Sequence, residues 1–97
     1  MRLTFQPLTE DDLESIGDFI ALRNPRRAVS FIQEIRAHCR KIVDAPQGYR
    51  ARPELRDGLR SVPHGNYLIF HLITDDEVRI SRVLHAAQDL TDALEEG

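Results

Sequence analysis

The side chains of this 97-residue chain best suited to acid–base work stand near its end, in the run Arg82-Val83-Leu84-His85-Ala86-Ala87-Gln88-Asp89. A guanidinium, an imidazole and a carboxylate at the end of a strand suit proton transfer on a phosphodiester, with Arg82 stabilising charge and His85 moving the proton. The same groups serve equally well in a structural role, with Arg82 and His85 hydrogen-bonding Asp89 and pinning the tail to the sheet. Residue types alone leave both readings open. Other chemistry finds less support. The Gly-rich phosphate loops and the H-E-x-x-H pattern are absent. The four histidines, His38, His64, His71 and His85, have no Cys or carboxylate at metal spacing, so neither a metal nor a cofactor is expected. The one cysteine, Cys39, lies in a helical pattern where a small apolar side chain suffices, and it is expected in the core. Ser61 and Ser81 have no base within their own motifs.

The elements that must position these groups are organised around Leu59 to His85. Arg60 to Pro63, the turn His64-Gly65-Asn66, the run to Ile73, the break at Asp75-Asp76, and Val78 to Leu84 predict three antiparallel strands. Tyr67 to Ile73 is apolar at every position except His71, so this strand is expected to be central, with cover on both faces. In the last strand Val78, Ile80, Arg82 and Leu84 alternate at period two against Arg79, Ser81 and Val83.

Upstream, Arg2 to Gln6 predicts a strand stopped by Pro7, at a sheet edge or beside the last strand. Thr9, with acids behind it, is expected to cap a first helix starting near Glu10, with Leu13, Ile16 and Ile20 on one stripe and Phe19 at its flank. Asn24-Pro25 is a second start signal, and Ala28, Phe31, Ile32, Ile35, Cys39, Ile42 and Val43 keep helical spacing until Pro46 and Gly48. Ala45 to Gly58 is expected to be an irregular loop long enough to form a contact surface. His85 to Gly97 is expected to hold a weak helical turn or a fraying tail. The expected class is α+β: an antiparallel helical hairpin packed on a small, twisted, mostly antiparallel sheet, in the order β-α-α-β-β-β, with residues 1–97 as one domain.

Net charge is −3, distributed as an acidic start, a basic middle and an acidic end: −4 over residues 1–20, +6 over 21–60 and −5 over 61–97. An acidic whole does not favour binding along a phosphate backbone, and no sequence-specific contact with nucleic acid is expected. No apolar run is long enough to span a bilayer and the first residues do not resemble a signal peptide, so no membrane partner and a cytoplasmic location are expected.

The order of elements, together with Asp12-Leu13 and Ile16, Asn24-Pro25 with Ala28 and Phe31, Cys39, Pro46, Arg52-Pro53-Glu54-Leu55, Gly58-Leu59-Arg60-Ser61, Pro63, Gly65, Tyr67 to Phe70 and Arg82 to His85, resembles the ParE side of the RelE/ParE toxin superfamily. The resemblance spans nearly the whole chain. It implies a toxin of a type II toxin–antitoxin system, held inactive by a ParD-like antitoxin and, when free, inhibiting DNA gyrase without catalysis of its own. Relatives of the RelE branch cut mRNA on the ribosome. They tend to be basic, whereas this chain is acidic, with one lysine and Gln88 where many relatives carry Arg. A ribosome-dependent endoribonuclease and a non-toxic interaction module therefore stand as alternatives. Beside the resemblance, Arg60, Arg82, His85 and Asp89 are the candidates for the toxic or nuclease-like surface, expected where the loop Tyr49 to Asp57 meets the tail. Phe19, Leu22, Arg23, Arg27, Arg36 and Arg40 are the candidates for antitoxin binding, the arginines meeting acids of the partner.

Overall fold

A computed structural model describes residues 1–95. Its elements are β1 (Arg2–Phe5), α1 (Pro7–Ala21), α2 (Pro25–Ile42), a 3-10 turn (Pro46–Gly48), β2 (Arg50–Ala51), β3 (Arg60–His64), β4 (Tyr67–Ile73), β5 (Glu77–His85) and α3 (Leu90–Glu95). The five strands form one sheet in the order β1-β5-β4-β3-β2, with β1 parallel to β5 and the other pairs antiparallel. The expected α+β architecture is present, with β2 and α3 added to it.

Each face of the central strand has its own cover. On one face Ile69, Val62, Val78, Ile80 and Val83 meet Leu13 and Ile16 of α1 and Ile35, Cys39 and Ile42 of α2. On the other, Leu59, Phe70 and Leu84 are covered by Leu55 from the loop and by Leu90, Ala93 and Leu94 of α3. The run in β4 is apolar on both alternating faces because both faces are buried. The tail is thus a lid over the second core.

Three local expectations are corrected. α1 starts at Pro7, two residues before the expected cap at Thr9, with Gln6 as the extended N-cap. Proline loses nothing at the first helical position, because its missing N–H would have had no partner there. Thr9 is fully buried, and its hydroxyl donates to the Ile80 carbonyl at 2.8 Å. Second, the loop expected to be irregular contributes β2, where Arg50 pairs with Ser61 and Ala51 with Arg60. Third, the period-two pattern of the last strand is broken by a bulge. Phe70 pairs with Arg82 but His71 pairs with Ile80, leaving Ser81 as the extra residue. The bulge explains how Ile80 and Val83, three apart, reach the same core.

The helix hairpin starts as the sequence predicts at its second helix: Asn24 Oδ1 accepts from the Arg27 N–H at 3.0 Å, with Pro25 in the first turn. The β3–β4 turn uses Gly65 at φ 58°, a left-handed conformation that glycine adopts without steric cost. Beyond the short β1, the exposed edge of β5 is closed by the start of α1. The Gln6 N–H and the Thr9 hydroxyl both reach the Ile80 carbonyl, and the Val83 N–H donates to Asp12. No helix among the described residues is long and apolar enough to cross a membrane.

Candidate functional site

Arg82 occupies the junction of β5, α1 and α3. Its Nε and Nη2 donate to the two carboxylate oxygens of Asp12, each at 2.8 Å, and its Nη1 donates to the Ala93 carbonyl at 2.8 Å. Both side chains of the ion pair are only 12% exposed. The fork-to-fork geometry fixes the guanidinium in one orientation. Arg82 therefore ties the first turns of α1 to the last strand and to the tail.

The other residues expected beside it do not converge there. Asp89 caps α3, its Oδ1 accepting from the N–H groups of Thr91 and Asp92 at 3.1 and 3.2 Å. His85 is exposed; its Nδ1 accepts from the Ala87 N–H, its own N–H donates to Gln88 Oε1, and its ring packs edge-on against Tyr67. Arg60 lies on β3, two strands from Arg82, and donates to the Tyr49 carbonyl at 2.7 Å. The expected pairing of Arg82 and His85 with Asp89 is corrected: among the described residues the carboxylate bonded to Arg82 is Asp12, 70 residues earlier in the chain. Nothing in the sequence signals this contact, since an acid in the first turns of a helix is already suited by the positive end of the helix dipole. The loop and the tail do meet in the expected region, as common cover for Leu59, Phe70 and Leu84.

The helix hairpin presents a second surface. Phe19 is 70% exposed, Leu22 82% and Val29 60%, large apolar side chains left open to solvent on the hairpin. Between α1 and α2 runs a groove of about 620 Å³ with Leu13, Gly17, Ala28 and Ile32 among its lining, and with Glu10, Glu14 and Asp18 on its α1 side. Of the arginines expected to meet a partner, two are already engaged within the chain. Arg27 is paired with Glu34, bonded to Ser30 and set over the Phe31 ring; Arg36 donates to Glu10 at 3.0 Å and lies over Phe5. Arg23 and Arg40 are exposed, and their side chains make no hydrogen bond or ion pair among the described residues. An acidic partner would meet Arg23 and Arg40 directly, and would have to compete with Glu34 and Glu10 for the half-exposed Arg27 and Arg36.

The titratable interior is small. His71 is fully buried, its Nε2–H donating to the Pro46 carbonyl at 3.1 Å while Nδ1 has no partner. Burial is the main cause that pushes its pKa down, so the imidazole is neutral. Cys39 is also fully buried, and burial pushes its thiol up to about 12. It is a packing residue, as the sequence predicts, with no thiolate to offer. Among the described residues no three His, Cys, Asp or Glu side chains assemble into a metal centre.

Comparison with known proteins bears on the whole fold. The sequence profile of the family described as "ParE toxin of type II toxin-antitoxin system, parDE" matches residues 3–90. No curated protein gives a significant match. Among solved structures, a chain of the chromosomal ParDE TA system from P. aeruginosa superposes with a TM-score of 0.78 at 19% identity, over 88% of this chain and 95% of that one. At that identity the superposition speaks for the fold, and the profile, which covers every element from β1 to the start of α3, speaks for descent. The chain belongs to the ParE toxin family of type II toxin–antitoxin systems.

Proposed function

We propose that this toxin acts on DNA gyrase, blocks replication when free, and is neutralised by a cognate antitoxin that lies over the α1–α2 hairpin. Family membership over residues 3–90 supports the target class. The observation that carries the antitoxin surface is the groove with an apolar lining, in which Val29 is exposed, together with the exposed Phe19 and Leu22 at the hairpin's turn end, outside that groove. An amphipathic helix from the partner would lay its apolar face along that groove. The acids Glu10, Glu14 and Asp18 on the α1 side favour lysine or arginine at the margin of that segment, while Arg23 and Arg40 favour carboxylates elsewhere along its path. Burying the exposed parts of Phe19 and Leu22 would supply about 1–2 kcal/mol each, a substantial share of a tight complex.

The proposal places no catalytic set in this chain. Arg60, Arg82, His85 and Asp89 are each bonded to a different backbone group, of Tyr49, Ala93, Ala87 and Thr91 respectively, which supports structural roles for them. The net charge of −3 also provides no broad positive field for docking on ribosomal RNA. The test is to induce the toxin in a bacterial host with and without the cognate antitoxin, following DNA-damage signalling, plasmid supercoiling and mRNA integrity together. DNA-damage signalling with intact mRNA, suppressed by the antitoxin, is expected. Rapid cleavage of translated mRNA with undamaged DNA would overturn the target, and growth without arrest would overturn toxicity.

A further inference from the structure

Outside the surfaces above, the fold brings together two histidines that the sequence holds 26 residues apart. His38 projects from α2 and His64 from the end of β3, and their Nδ1 atoms stand 2.9 Å from each other. We propose that His38 and His64 form an open two-imidazole site for a divalent transition-metal ion of the copper, nickel or zinc kind, bridging α2 to the β3–β4 turn.

The geometry supports the ion directly. Two imidazole nitrogens bound to one ion at about 2.0–2.1 Å, with an angle near 90° between them, lie about 2.9 Å apart. In the metal-free protein the same contact is a hydrogen bond, one Nδ1–H donating to the other ring's bare Nδ1. On binding, the donor ring moves its proton to Nε2 and both Nδ1 lone pairs become available, so no proton is lost overall. The two nitrogens stand at ligating separation before the ion arrives, and each ring turns to aim its Nδ1 lone pair at the ion instead of at the other ring. His64 packs edge-on against Phe31 at 5.4 Å, and just beyond it Gly65 makes the tight turn that ends β3. The site opens into a pocket of about 350 Å³ lined by Glu34, Ala37, His38, Lys41 and His64. That space admits water to complete the coordination shell. Glu34 stands one helical turn before His38 but is held by Arg27, and Lys41 opposes a cation. The site is therefore modest in affinity, and with two nitrogen ligands it selects transition ions over magnesium or calcium.

The test uses the tag-free chain in a non-coordinating buffer, titrated calorimetrically with CuCl₂, NiCl₂ and MgCl₂. One copper or nickel ion per chain is expected, with copper tighter than nickel and no magnesium binding. His38→Gln and His64→Gln, each checked for native far-UV dichroism, should weaken nickel at least about 10-fold and abolish the nickel-dependent rise in Tm. Copper electron paramagnetic resonance on the unmodified chain should show coupling to two imidazole nitrogens, which keeps the question open to an answer if either variant misfolds. Absence of copper and nickel binding, unchanged affinity in both variants, or a copper spectrum without imidazole coupling would overturn the site.

Discussion

Replacing Arg82 by alanine tests whether the ion pair with Asp12 is the joint that holds α1, β5 and α3 together. The substitution removes two charge-assisted hydrogen bonds to Asp12 and one to the Ala93 carbonyl. It leaves the Asp12 carboxylate 12% exposed, with the Val83 N–H at 3.0 Å as its remaining hydrogen bond. Breaking a fully buried pair costs about 3–5 kcal/mol, chiefly through the charge left without a partner. The surviving bond from Val83 and the residual contact with solvent place the expected loss at the lower end, about 3 kcal/mol. A small domain has about 5–15 kcal/mol in total, so Tm should fall by more than about 10 °C. Urea unfolding of Arg82→Ala, Asp12→Ala and the double variant should show a coupling of about 2 kcal/mol. Asp89→Ala, which removes the cap of α3, should cost about 1 kcal/mol and add independently to Arg82→Ala. Additivity between positions 12 and 82, or stronger coupling of Arg82 to Asp89, would refute the assignment of Asp12 as the partner.

Phe19→Asp and Leu22→Asp should each weaken a ParD-like antitoxin by about 10- to 100-fold in calorimetry while leaving Tm unchanged, because both side chains are mostly exposed in the free chain; unchanged affinity in both would move the docking surface off the hairpin. His71, whose pKa is lowered by burial, should make stability fall with acid. Below about pH 6.5 the unfolded chain takes up the proton that the folded chain resists, so stability declines until the folded pKa is reached. His71→Gln should flatten that part of the urea-derived stability profile, and an equal slope in the variant would contradict it. Thr9→Val should cost about 1 kcal/mol by urea unfolding, since the buried hydroxyl donates to Ile80 while Gln6 still serves the same carbonyl; a loss below about 0.3 kcal/mol would mean the bond contributes little.

Much of the fold is legible because its apolar periods are local. Asn24 with Pro25, the helical spacing from Ala28 to Ile42, and the two-faced run of β4 need no knowledge of distant residues. The misses arise where tertiary contact overrides a local signal. Thr9 looks like a cap, yet its hydroxyl is used by the Ile80 carbonyl, 71 residues away. The alternation of β5 looks unbroken from Val78 to Leu84, but the bulge at Ser81 moves Val83 onto the face of Ile80. Leu90 and Leu94 look like a weak turn when taken alone; α3 exists because Phe70 and Leu84 need cover.

The candidate site was legible as residue types and illegible as partnerships. Arg82 and its neighbours suggested acid–base chemistry because sequence adjacency placed His85 and Asp89 beside it. On a strand, however, residues three and seven positions on lie about 10 and 23 Å along an extended chain unless a turn returns it. Here the chain does turn after His85, and Asp89 is consumed as the α3 cap before it can reach the guanidinium. The carboxylate that does reach it comes from a helix whose placement follows from the parallel pairing of β1 with β5. That pairing sets the start of α1 against Ile80 and Val83, and from there Asp12 has both the Val83 N–H and the Arg82 fork within reach. The arginine at the end of this sheet is thereby bound to the fold's own first helix, while the hairpin, with Phe19 and Leu22 largely exposed, keeps apolar surface to offer a partner.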